Sequence, residues 1–82
     1  MTVGTVKEDL AAVVRGIVDD RDAVLVDELE GSDSTVLELR VANDDLGKVI
    51  GRQGRIVRAL RSLLKVRSET DRRAYELEIV ED

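Results

Sequence analysis

The chain has 82 residues, 43% hydrophobic and 38% charged, with 13 Lys+Arg against 18 Asp+Glu and a formal net charge of −5. That composition describes one small domain with too many aliphatic residues for a disordered chain. With no Cys and no His, a disulfide framework, a zinc knuckle, a thiol nucleophile and a Ser-His-Asp triad are excluded, and neither metal nor cofactor is implied.

Val6, Leu10, Val13, Val14 and Ile17 recur at helical spacing, so residues 6–18 read as a first helix. Thr5 followed by Glu8 is the T-x-x-E capping pattern, which starts the helix near Thr5. Asp19, Asp20, Arg21 and Asp22 offer no apolar face and read as a turn. Two strands follow, residues 23–30 and 35–42, joined as an antiparallel hairpin by Gly31-Ser32-Asp33-Ser34. In the second, Leu37, Leu39 and Val41 alternate with Glu38 and Arg40. In the first, Val24 and Val26 are in phase but Leu29 is not, which predicts a bulge near Asp27 and Glu28.

Asn43-Asp44-Asp45 supplies a helix cap and two carboxylates for the positive end of a short helix, residues 46–50. Gly51-Arg52-Gln53-Gly54 interrupts it, and a third helix runs over residues 55–66. A helical wheel puts Ile56, Val57, Ala59, Leu60, Leu63 and Leu64 on one arc, with Arg55, Arg58, Arg61 and Lys65 opposite. Ser68-Glu69-Thr70-Asp71-Arg72 reads as a loop, and Tyr75, Leu77 and Ile79 alternate with Glu76 and Glu78 as a final strand. The order α-β-β-α-α-β predicts an α+β two-layer sandwich, three helices on one face of a three-stranded mixed sheet. Two helices lie between strands 2 and 3, which is long enough for a parallel return.

The net charge hides a segregation. Residues 1–45 carry −8, residues 46–73 carry +7 and residues 74–82 carry −4. Residues 46–67 hold seven basic side chains and no acidic one, a place for an anionic partner. No apolar run approaches the roughly 20 residues that span a bilayer, and no signal-like segment opens the chain, which therefore reads as cytoplasmic.

The informative motif is Val49-Ile50-Gly51-Arg52-Gln53-Gly54-Arg55-Ile56. Two glycines remove Cβ at both ends of the turn, so that a phosphate can approach bare backbone at the N-terminus of the next helix. Arg52 and Arg55 supply charge there, Arg58 lies one turn on, and Lys48 one turn before. Gly47 signals close packing at most. The pattern resembles the G-x-x-G signature of KH domains, and the element order resembles their type II arrangement. From Asp45 onward, DLGKVIGRQGRIVRALRSLL is similar to the small single-domain bacterial KH proteins of the KhpA family.

That resemblance covers nearly the whole chain. It implies a single KH domain over residues 1–82 and a non-enzymatic protein that binds single-stranded RNA. The implied role is that of an RNA chaperone or post-transcriptional regulator. It also implies an aliphatic groove edged by Val49, Ile50 and Ile56, and self-association or pairing with a larger KH-containing RNA-binding protein. Tyr75 as the lone aromatic argues against folds that stack bases on aromatic platforms. An alternative reading is an adaptor that docks a basic partner, such as a ribosomal protein, through acidic helix 1 and the acidic hairpin. Catalysis by Asp44 and Asp45 is disfavoured, because adjacent residues on a helix diverge and capping accounts for both.

Overall fold

The computed structural model describes residues 5–81. Helix α1 spans Val6–Arg15, and its first turn is closed by the Glu8 N–H donating to Thr5 Oγ1 at 3.1 Å, as the capping pattern predicts. It ends at Gly16, short of Ile17 and Val18, although Val18 still reaches the core. A 3-10 turn at Arg21–Ala23 leads into β1, Leu25–Glu30. Strand β2 is Ser34–Arg40. A second 3-10 turn, Asn43–Asp45, precedes α2, Leu46–Ile50. Residues 52–54 form a third such turn before α3, Arg55–Asp71, and β3 is Ala74–Ile79.

The sheet order is β1-β2-β3, with β1 antiparallel and β3 parallel to the central strand. Alternation sets the two faces: Thr35, Leu37 and Leu39 of β2 are buried, together with Val26 and Leu77 across from Leu39 and Leu37. Against this face the helices contribute Val6, Leu10, Ala11 and Val14 from α1, Val49 from α2, and Val57, Leu60 and Leu64 from α3. The buried hydrophobic core is entirely aliphatic.

Four expectations need correction. The pairing of β1 runs unbroken from Leu25↔Arg40 to Glu30↔Thr35, so there is no bulge at Asp27 and Glu28. Leu29 simply shares the open face of the sheet with Leu25, both about half exposed, because alternation turns them away from the helix side that buries Val26. On α3, Ala59 and Leu63 lie outside the core: the face packed on the sheet is narrower than the six-residue arc, and Leu63 is 51% exposed. The predicted loop at 68–72 is instead the last turn of α3. Ser68 and Thr70 hydroxyls donate to the carbonyls of Leu64 and Val66, and Arg67 pairs with Asp71 one turn on, so polar residues that elsewhere favour turns here close helical contacts. The helix stops at Arg72, in the left-handed region with φ 55°. Finally, Asn43 and Asp45 do not cap α2 through their side chains, because the Asp45 carboxylate is engaged elsewhere.

Candidate nucleic-acid interface

The Gly-x-x-Gly segment is a tight turn between α2 and α3. Gly51 has φ 76° and ψ 170°, a region open essentially to glycine alone. A Cβ there would lie 2.5 Å from Ile56 Cγ1 and 2.9 Å from the Ile56 backbone nitrogen. Gly51 is thus required by conformation and by space. Gln53 (φ 58°, ψ 25°) and Gly54 (φ 73°, ψ 18°) follow in left-handed geometry, and the Gly54 N–H donates to Gly51 O at 3.1 Å. A Cβ on Gly54 would meet only Val57 Cγ1, at 3.8 Å. Beyond Gly54, no side chain caps α3. The positive end of a 17-residue helix therefore faces the turn uncovered.

Around this turn the charges are one-sided. Arg52, Arg55 and Arg58 are exposed, and among the described residues none of them has a carboxylate partner. Arg61 and Lys65 continue the row along α3 in the same state. Ile50 and Ile56 are half-buried, packed on the core with one side open, and so give the turn an aliphatic border. Val49 departs from the expected groove edge: it is fully buried, so its side chain fills the core beneath the turn. Gly47 also departs from expectation, since a Cβ there would meet nothing within 4 Å and close packing does not explain it.

Lys48 is not a free cation. Its ammonium pairs with Asp19 and lies 3.4 Å from Asp45 Oδ1, and the Asp19 contact leads in raising its pKa. Asp45 is 2% exposed and accepts from the N–H groups of Asp19 at 3.3 Å and Asp20 at 3.0 Å. The Asp20 N–H, with Asp19 and Lys48, holds its carboxyl below the usual aspartate range despite burial. Asp44 beside it is exposed, so the two do not form a catalytic pair. In sequence Asp45 reads as a cap, and no local pattern joins it to amides 25 and 26 residues earlier.

Residues 7–79 match the family described as "KhpA/KhpB, KH domain". Curated relatives named "RNA-binding protein KhpA" include one from Borreliella burgdorferi, 46% identical over 84% of both chains. One from Treponema pallidum is 44% identical over 94% of this chain and 98% of its own. One from Aquifex aeolicus is 42% identical over 96% of this chain and all of its own.

Proposed function

Because the chain belongs to the KhpA/KhpB KH-domain family, we propose that it binds single-stranded RNA across the turn from Gly51 to Gly54. The observation that carries this is the uncapped end of α3, reached through two glycines and flanked by arginines 52, 55 and 58, which have no carboxylate partner among the described residues. Phosphates would rest against the backbone of Gln53, Gly54 and the first turn of α3, with Arg52, Arg55 and Arg58 neutralising them. Bases would lie on the aliphatic border of Ile50 and Ile56. The chain is a binding module rather than an enzyme.

A KH turn grips about four nucleotides, so useful affinity calls for a second site supplied by self-association or by a larger KH-containing RNA-binding protein. An apolar groove between α1 and α3, with Val13, Leu63 and Val66 exposed on it, supports such pairing. A role in RNA chaperoning or post-transcriptional regulation fits a short, weakly selective grip. No helix among the described residues is long and apolar enough to cross a membrane.

The test replaces Arg52 and Gln53 with Asp and keeps both glycines; Gln53 sits at a left-handed position that Asp tolerates. Circular dichroism should be unchanged while affinity for a short single-stranded RNA falls at least about tenfold. Unchanged affinity would overturn the proposal. A salt series on the native chain should give a log-log slope of roughly −2, for about three phosphates at roughly −0.7 each.

A second reading, docking of a basic protein, has one observation in its favour. On the open face of the sheet Asp27, Glu38 and Glu78 stand side by side on adjacent strands, next to exposed Leu25 and Leu29. Salt-independent RNA binding, or none, would favour it.

A further inference from the structure

Asp45 and Thr35 are the two buried polar residues among those described, and Asp45 stands at the start of α2, at the opposite end of that helix from the turn. Both Asp45 carboxylate oxygens are used, Oδ1 by Asp19 N–H and Lys48, Oδ2 by Asp20 N–H. A carboxylate that merely favoured a helix dipole would sit in water; burying one requires compensating donors and a cation. The donors come from the segment after α1 and the cation from α2, so this clasp joins those two elements. Asp19 is the loose member, its side chain 84% exposed against 3% for the side chain of Asp45.

Helix α2 has five residues, too few to hold a helical shape unaided. Its far end is Gly51, whose N–H donates to Gly47 O at 2.8 Å. The direction of this short rod, and with it the plane of the Gly51 peptide, is therefore set from outside: by Val49 in the core, by Ile56 beneath Gly51, and by the clasp at the near end. We propose that Asp45, acting with Lys48, is a positioning residue for the Gly-x-x-Gly turn. It touches no RNA, and the charge of Lys48 serves the clasp and not a phosphate. This rests on the RNA-binding reading above.

Two variants test it. Asp45→Asn cannot accept at both oxygens and turns an amide N–H2 toward a backbone donor. Its amides over residues 46–55 should exchange faster while those of β2 and central α3 stay protected. RNA affinity should fall roughly tenfold, the lower end of what groups orienting a metal ligand achieve. Lys48→Met should weaken RNA binding equally at all salt concentrations, leaving the log-log slope as in the native chain. Arg52→Met should make that slope shallower by about 0.7. A slope equally shallow in Lys48→Met would make Lys48 a phosphate contact and overturn the proposal. So would native exchange rates over 46–55 in Asp45→Asn. If Asp45→Asn fails to fold, Lys48→Met decides by exchange and slope together. A native chain that bound no RNA would sink the functional reading, and the exchange data would still decide the positioning role.

Discussion

The two glycines of the motif look equivalent in sequence and are not. Gly51 combines a backbone conformation closed to L side chains with direct contact against Ile56, whereas Gly54 needs only a left-handed φ and has open space beside it. Gly51→Ala should cost about 2–4 kcal/mol and disturb α2 and α3 together. Gly54→Ala should cost only about 1–2 kcal/mol, with Asn cheaper still, as urea unfolding midpoints would show. At Gly47 the expectation reverses: with nothing within 4 Å of a Cβ, Gly47→Ala should stabilise α2 by about 0.5–1 kcal/mol. A simultaneous loss of RNA affinity would locate the nucleic acid over that bare patch. Spacing alone reveals a turn at both glycines; the difference between them depends on where Ile56 packs, which only the fold decides.

Among the elements, the order and the parallel return of β3 formed as expected, while several ends did not: α1 stops at Arg15, β1 begins only at Leu25 and β2 ends at Arg40. Thr5 is legible because its partner is three residues away, and Thr5→Ala should lower stability by about 1 kcal/mol through loss of the α1 cap. The last turn of α3 is hard to read because Ser68, Thr70 and Asp71 are turn-favouring types that here close i,i+4 contacts, with one support, Asp9, coming from a distant element. Arg67 reaches both Asp71 and Asp9 of α1, Tyr75 donates to Asp71 at 2.6 Å, and its N–H donates to Ser68 Oγ at 3.0 Å. Arg73 likewise pins the hairpin turn, donating to Thr35 Oγ1 and to the carbonyls of Gly31 and Ser34. The burial of Asp45 belongs to the same class, its donors lying a whole hairpin away in the chain.

At the scale of the molecule, charge is sorted by surface: cations along α3 and the turn, carboxylates across the open sheet. The absence of His leaves no side chain with an ordinary pKa between about 5 and 8. Asp45 and Asp71 have lowered pKa values, the first through the Asp20 N–H and the second through the Tyr75 hydroxyl. The stability they contribute is present above the unfolded value near 3.9 and is lost as pH falls through their depressed folded values. Lys48, held by Asp19, and Tyr75, held by Asp71, are raised. Their contributions are present below about 10 and lost as pH rises through the raised values. Thermal melts should therefore show a plateau from about pH 5 to 9, with RNA affinity flat across it; a transition near pH 6.5 would contradict this.

The β3 tyrosine bound to the last residue of α3 also makes the molecule its own reporter. Tyr75 is the single aromatic side chain, and its phenol is bound to a carboxylate, an arrangement that quenches ultraviolet emission. Asp71 is separated from Gly54 by the length of α3, roughly 25 Å at 1.5 Å per residue. Emission should therefore brighten when the chain unfolds and stay constant when RNA occupies the far end of that helix, so that folding can be followed optically with nucleic acid bound.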